Sequence, residues 1–138
     1  MVIPKFECIK IIHNADDFSI QERFAALRSL IQFHDENYVA SRFDYEKYLY
    51  SDFWQVIKDY LFFKSDWRCQ RCQDEVKRWK MQVHHHTYRH LFKEVLWLDD
   101  IILVCDKCHK ELHEIDEEVE EWQDQTKQGL SISHSIQI

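Results

Sequence analysis

Four of the five cysteines fall into two Cys-x-x-Cys pairs, Cys69/Cys72 and Cys105/Cys108, with 32 residues between them. Each pair can turn two thiolates toward one point, and four thiolates satisfy one tetrahedral zinc ion. The intervening length suits a hairpin and its loop. A structural zinc would contribute folding energy directly. That matters in a chain of 138 residues, which fits one domain whose core is spread over several elements. The paired spacing points to metal in a reducing cytosol rather than to a disulfide framework. Cys8 is left over and reads as a small buried apolar residue.

The chain carries more metal ligands than one such site can use. His84, His85 and His86 lie between the pairs, and His109 and His113 follow the second. His109 and His113 are four apart on an expected helix, so they share a face. Such a pair is a common way to hold a metal. Cys108 and His109 are adjacent and point in different directions, so the helix is expected to serve two sites. His84 and His85 end an expected strand, where side chains alternate faces. One of them can complete a site with His109 and His113, while the other sits beside the metal without binding it. Three protein ligands with open positions next to a free imidazole form a hydrolytic arrangement. Three imidazoles favour zinc, nickel or manganese over magnesium. His13, His34, His86, His90 and His134 read as surface or packing residues.

The net charge of −7 is unevenly spread. Residues 1–63 carry 7 Lys/Arg against 10 Asp/Glu, residues 64–110 carry 10 against 7, and residues 111–138 carry 1 against 8. The cysteine and histidine block is therefore the only basic part, and its charge bears on the partner. Arg78, Lys80, Arg89 and Lys93 flank the expected hairpin and are candidate phosphate contacts, which position a strand without reading its sequence. No run is long and apolar enough to span a bilayer. The first ten residues lack a secretory layout, so a cytoplasmic location is expected.

Gly129 and Pro4 are the only residues of their types, so the body reads as helix-rich. Ser19 with Glu22 fits a capping box, and Ile20, Phe24, Leu27 and Ile31 follow at helical spacing. A helix is predicted over 19–34. Leu49, Phe53, Val56, Ile57, Tyr60 and Leu61 predict a second over 46–63. Residues 79–84 alternate as a strand should, and 101–104 form a second apolar run. After Cys108 a helix is expected, with Leu112, Ile115 and Val119 on one face and acids on the other. Residues 126–138 read as a loose tail. The predicted class is α+β, mostly helical, with a short hairpin, a C-terminal helix and N-terminal helices packed on it.

Three stretches taken together resemble an HNH endonuclease domain from about Tyr45 to Glu114. YLYSDFWQVIKDYLFFKSDWRCQRC is similar to the lead-in helix and first knuckle of phage and bacterial members. VHHHTY, from Val83 to Tyr88, is similar to their V-H-H-x-T-Y element. LDDIILVCDKCHKELH, from Leu98 to His113, is similar to their L-x-[ND]-L-x-x-L-C-x-x-C-H-x3-H ending. The resemblance implies a ββα-metal, treble-clef-like core over 45–125, with a structural zinc on Cys69, Cys72, Cys105 and Cys108. It further implies that His84, His109 and His113 hold a catalytic divalent ion (Mg²⁺, Mn²⁺, Ni²⁺ or Zn²⁺) and that His85 is the general base. Asp100 falls where the family carries an Asn or Asp that ties the loop so that the base imidazole is correctly oriented. The implied reaction is hydrolysis of DNA to 5′-phosphate and 3′-hydroxyl ends.

The chain also departs from the family. Many relatives have a glycine in the loop after the T-Y element, where this chain has Phe92, so a different bend is expected. Residues 1–44 match no family and are read as a helical extension able to dock a protein partner. The rival function is a non-catalytic zinc module that binds nucleic acid or protein on the same scaffold. Target specificity and oligomeric state are left open.

Overall fold

A computed structural model describes residues 3–127 of the chain, with side chains described through residue 116. Among them are five α-helices and one two-stranded antiparallel sheet, so the class is α+β. The helices are α1 (Lys5–Ile12), α2 (Ile20–Ser29), α3 (Tyr45–Leu49), α4 (Asp52–Lys64) and α5 (Asp106–Lys127). The strands are β1 (Met81–His85) and β2 (Ile101–Cys105). The expected tail over 126–138 falls largely outside the described residues, as does the side chain of Val119.

The capping box forms as its sequence predicts. Ser19 accepts from the Glu22 backbone N–H at 3.2 Å, and the Glu22 carboxylate accepts from the Ser19 N–H at 3.0 Å. The helix so started buries Phe24, Leu27 and Ile31 and passes at Leu30–His34 into a wider π-type turn. α1 has no counterpart in the predicted elements. It is short, and only Cys8 and Ile12, one helical turn apart, are buried. Buried Arg23 reaches back from α2, and its Nε donates to the Ile12 carbonyl at 2.9 Å, satisfying an acceptor that the end of α1 leaves open. Cys8 is fully buried, as its reading required, and burial raises its thiol pKa.

The predicted helix over 46–63 is two helices. Ser51 takes an extended backbone (φ −79°, ψ 159°), its hydroxyl donates to the Tyr48 carbonyl at 2.6 Å, and it accepts from the Trp54 N–H at 3.3 Å. A serine that bonds nearby backbone competes with continuous helix and favours a cap. Of the predicted stripe, Phe53, Val56, Ile57 and Leu61 are buried, Leu49 and Tyr60 are half-buried, and Tyr48 is buried in addition. These side chains share one core with Leu27, Leu30 and Ile31 of the N-terminal region and with Val95, Ile101 and Leu103 near the sheet. Full burial of each large apolar side chain stabilises the fold by roughly 1.5–3 kcal/mol.

The sheet carries the chemistry. Met81 pairs with Cys105, His84 with Ile102 and His85 with Ile101. The first predicted strand begins two residues late, because residues 78–80 form a 3₁₀ turn. β2 runs directly into α5, and Leu112 packs on the core while Ile115 is 42 % exposed. No helix among the described residues is long and apolar enough to cross a membrane.

Candidate metal centres

The first knuckle follows α4 through Asp66 and Trp67, both with left-handed backbone (φ 55° and 62°). It is pinned to β2 by a reciprocal pair: the Gln70 N–H donates to the Leu103 carbonyl at 2.8 Å, and the Leu103 N–H donates to Gln70 Oε1 at 2.7 Å. Those two bonds set Cys69 and Cys72 against the end of β2, where Cys105 sits, and the first turn of α5, where Cys108 sits. The four sulfur atoms lie within 4.8 Å of one another. Cys69 Sγ accepts from the N–H groups of Arg71 and Cys72 at 3.4 Å each, and Cys105 Sγ accepts from the Cys108 N–H at 3.5 Å. Burial pushes the Cys69 thiol up, but the backbone donors around it, Cys72 first, outweigh that and bring it to about 6. Four sulfur atoms so gathered can hold a metal ion such as zinc. Arg71, between the two cysteines, is paired with Glu111 of α5 and ties the knuckle to the helix.

The second cluster is built by β1 and α5. His109 and His113 sit one turn apart with Nε2 atoms 3.0 Å from each other. His84 projects from β1 onto them, its ring 5.5 Å from His109 and 5.1 Å from His113. The donor atoms of the three lie within 4.8 Å of one another. His84 is 3 % exposed, and its buried Nε2 has no hydrogen-bond partner. A buried polar atom is ordinarily hydrogen-bonded; this one has no hydrogen bond, and with two further imidazoles and the Asp116 carboxylate around it the group fits a metal. Burial lowers the His84 pKa to about 4, and burial with the His113 charge lowers that of His109. Both imidazoles are thus held neutral, the form that ligates. Asp116 Oδ2 stands 3.4 Å from His84 Nε2.

His85 faces the other side of the strand. Its ring lies between Trp54 (5.4 Å, 11°) and Tyr88 (4.6 Å, 15°), with Tyr45 at its edge. Its Nε2 is 2.9 Å from Glu94 Oε2, and the other oxygen of Glu94 accepts from the Tyr48 hydroxyl at 2.7 Å. Burial, with the Glu94 carboxylate next, raises the Tyr48 pKa well above its ordinary value.

Asp100 acts on the loop, as expected of it, and not on the imidazole itself. Its carboxylate lies 2.6 Å from His90 Nδ1, His90 stacks on Trp97 at 4.0 Å, and the Asp100 carbonyl accepts from the His86 N–H at 2.8 Å. It therefore ties the loop after β1, while the carboxylate that touches His85 is Glu94. Sequence reasoning passed over Glu94, because one acid at the start of a three-residue 3₁₀ turn carries no spacing signal. It also passed over Trp54, assigned to the apolar lead-in helix, and Asp116, assigned to a solvated acidic face.

Phe92 adopts φ 71°, the left-handed conformation that glycine takes without steric cost. Its ring packs against Tyr48 at 4.9 Å. The basic candidates divide into two pairs. Arg78 is paired with Asp59, and Lys93 lies 3.6 Å from Glu36. Lys80 and Arg89 are exposed with no ion pair among the described residues.

Fold and site together define a small α+β protein with a four-thiol centre and a three-imidazole centre on one strand–helix junction. No protein-family model, curated protein or solved structure matches the chain.

Proposed function

We propose that this protein is a metal-dependent endonuclease of the HNH type, with a ββα-metal core formed by β1, β2 and α5, that hydrolyses DNA phosphodiester bonds. The observation that carries the reading is the convergence of His84, His109 and His113 around a buried Nε2 that has no hydrogen bond, with a carboxylate-bound imidazole on the next residue. Sequence resemblance supplies the family, and the resulting arrangement has the parts that hydrolysis needs.

His84, His109 and His113 would hold a divalent ion, which when bound acts as a Lewis acid toward charge on the phosphate and the departing oxygen. His85 supplies the base. With Nε2 donating to Glu94, Nδ1 carries the lone pair and accepts a proton from water. The water oxygen bonds to phosphorus as the bond to the 3′-oxygen breaks, and the departing 3′-alkoxide takes a proton from solvent, leaving 5′-phosphate and 3′-hydroxyl ends. Exposed Lys80 and Arg89 are free to meet flanking phosphates. Arg78 and Lys93 must first leave their carboxylate partners, so they contribute less.

One observation favours a second reading. The His85 side chain is 3 % exposed and lies between two rings, as a packing histidine would. On that reading the scaffold is a zinc-held module that binds nucleic acid or protein without cutting.

Plasmid cleavage separates the two. Purified protein with Mg²⁺, Mn²⁺, Ni²⁺ or Zn²⁺ is expected to nick or linearise plasmid, and His85→Ala to abolish this with zinc content and helicity unchanged. Absence of cleavage with every one of these metals would overturn the nuclease reading and favour the binding module. Cleavage that survives His85→Ala would remove His85 from the mechanism.

A further inference from the structure

We infer that Glu94, held by Tyr48, is the positioning residue that fixes the orientation and tautomer of His85; its catalytic meaning rests on the nuclease reading above.

Glu94 is 1 % exposed and follows His85 by nine residues, across an irregular loop. A carboxylate so buried is tolerated only when its oxygens are satisfied. Both are satisfied here, by different partners: Oε1 accepts from Tyr48 at 2.7 Å and Oε2 meets His85 Nε2 at 2.9 Å. Tyr48 is itself 1 % exposed and is packed by Trp54 and Phe92, so the clamp is rigid. Trp54 and Tyr88 fix the plane of the His85 ring, but stacking does not choose which nitrogen bears the proton. Glu94 makes that choice. An ionised carboxylate only accepts, so it requires N–H at Nε2 and leaves Nδ1 as the basic atom.

The family-derived expectation has Asp100 orient the base indirectly, by tying the loop. That carboxylate is occupied by His90, 2.6 Å away. The two acids therefore divide the work: Asp100 holds the loop, and Glu94 holds the imidazole.

A purely structural role for Glu94 predicts the same burial but no effect on the tautomer. Long-range proton–nitrogen NMR on full-length, zinc-loaded protein with labelled histidine reads the tautomer directly. Wild type is expected to show Nε2–H at His85. Glu94→Gln keeps a carbonyl oxygen for Tyr48 and turns an amide N–H toward Nε2, so His85 is expected to switch to Nδ1–H. In plasmid cleavage the same variant should lose about 10²- to 10⁴-fold in kcat, with KM for DNA, zinc content and helicity unchanged. Glu94→Asp should restore Nε2–H and part of the rate. If Glu94→Gln fails to fold, Tyr48→Phe serves in its place. That change removes the clamp at nearly constant volume, and it should give mixed tautomers and a smaller loss of kcat.

The inference is overturned by Nδ1–H in wild type, by an unchanged tautomer in Glu94→Gln, or by a switched tautomer with wild-type kcat. A wild type that cuts no DNA yet shows the expected tautomers would sink the nuclease reading alone, leaving Glu94 as the residue that positions His85.

Discussion

His84 and His85 are neighbours on β1 yet meet different partners: His84 meets His109 and His113 of α5, while His85 meets Trp54 of α4 and the Glu94 carboxylate. The alternation of a strand separates the two imidazoles, and the sheet between them keeps the separation fixed. One residue can thus be kept neutral to ligate while the next is oriented by an acid.

Replacing the two residues should therefore give different defects. His84→Ala removes one of three donors and is expected to weaken metal binding at the histidine centre by more than about 100-fold, exceeding the usual loss of an outer-shell partner. The Cys₄ metal should be retained. Native mass spectrometry of protein loaded with excess zinc would show one ion fewer than wild type, whereas His85→Ala would show the full complement.

The thiol centre is expected to hold the fold. Cys69→Ser removes a buried ligand at the point where the knuckle meets β2. Structural zinc sites contribute folding energy of several kcal/mol or more, and 1 kcal/mol corresponds to roughly 4 °C at this size. A fall in Tm of more than about 10 °C, with loss of zinc and helicity, is the expected result. Strong chelators should reproduce it in wild type.

Phe92 offers a test of backbone strain. Its left-handed backbone costs about 1–2 kcal/mol, while its ring packs on Tyr48. Phe92→Ala loses the ring and keeps the strain, whereas Phe92→Gly loses the ring and relieves it. The glycine variant should be the more stable of the two by about 1 kcal/mol, despite the greater freedom of its unfolded chain. Urea denaturation would measure the difference, and an alanine variant as stable as the glycine one would show the bend to be unstrained.

Lys58 supplies a pH dependence. Burial, and next the Arg78 charge, lower its pKa from 10.5. The folded state therefore binds its proton less tightly than the unfolded state. Between the folded pKa and 10.5 the unfolded chain holds more protons, so stability rises with pH through that window. At neutral pH the charged amine is a cost. Lys58→Met keeps the aliphatic stem and should raise Tm at pH 7, with the gain over wild type shrinking as the pH climbs toward 10.5. Melting curves across that range would check the sign.

Local features of the fold were legible because their causes are local. The Ser19–Glu22 box, the stripe from Phe53 to Leu61 and the apolar run of β2 each rest on spacing within a few residues. The break at Ser51 was not legible, because a serine inside a strong apolar period is ambiguous until its hydroxyl selects a partner. α1 was missed because two buried positions make too short a period to stand out.

The same division runs through the site. By itself the sequence picked out the candidate ligands: two Cys-x-x-Cys knuckles and a His-x3-His are local arrangements that one turn of chain sets up. Only the tertiary structure decided the rest. It brought the expected His84 onto His109 and His113, gave the Asp100 carboxylate to His90, and brought Glu94 from a short 3₁₀ turn onto His85. The physical reason is that a buried carboxylate is placed by the partners able to satisfy it, and those partners, Tyr48 and His85, stand 46 and 9 residues away along the chain.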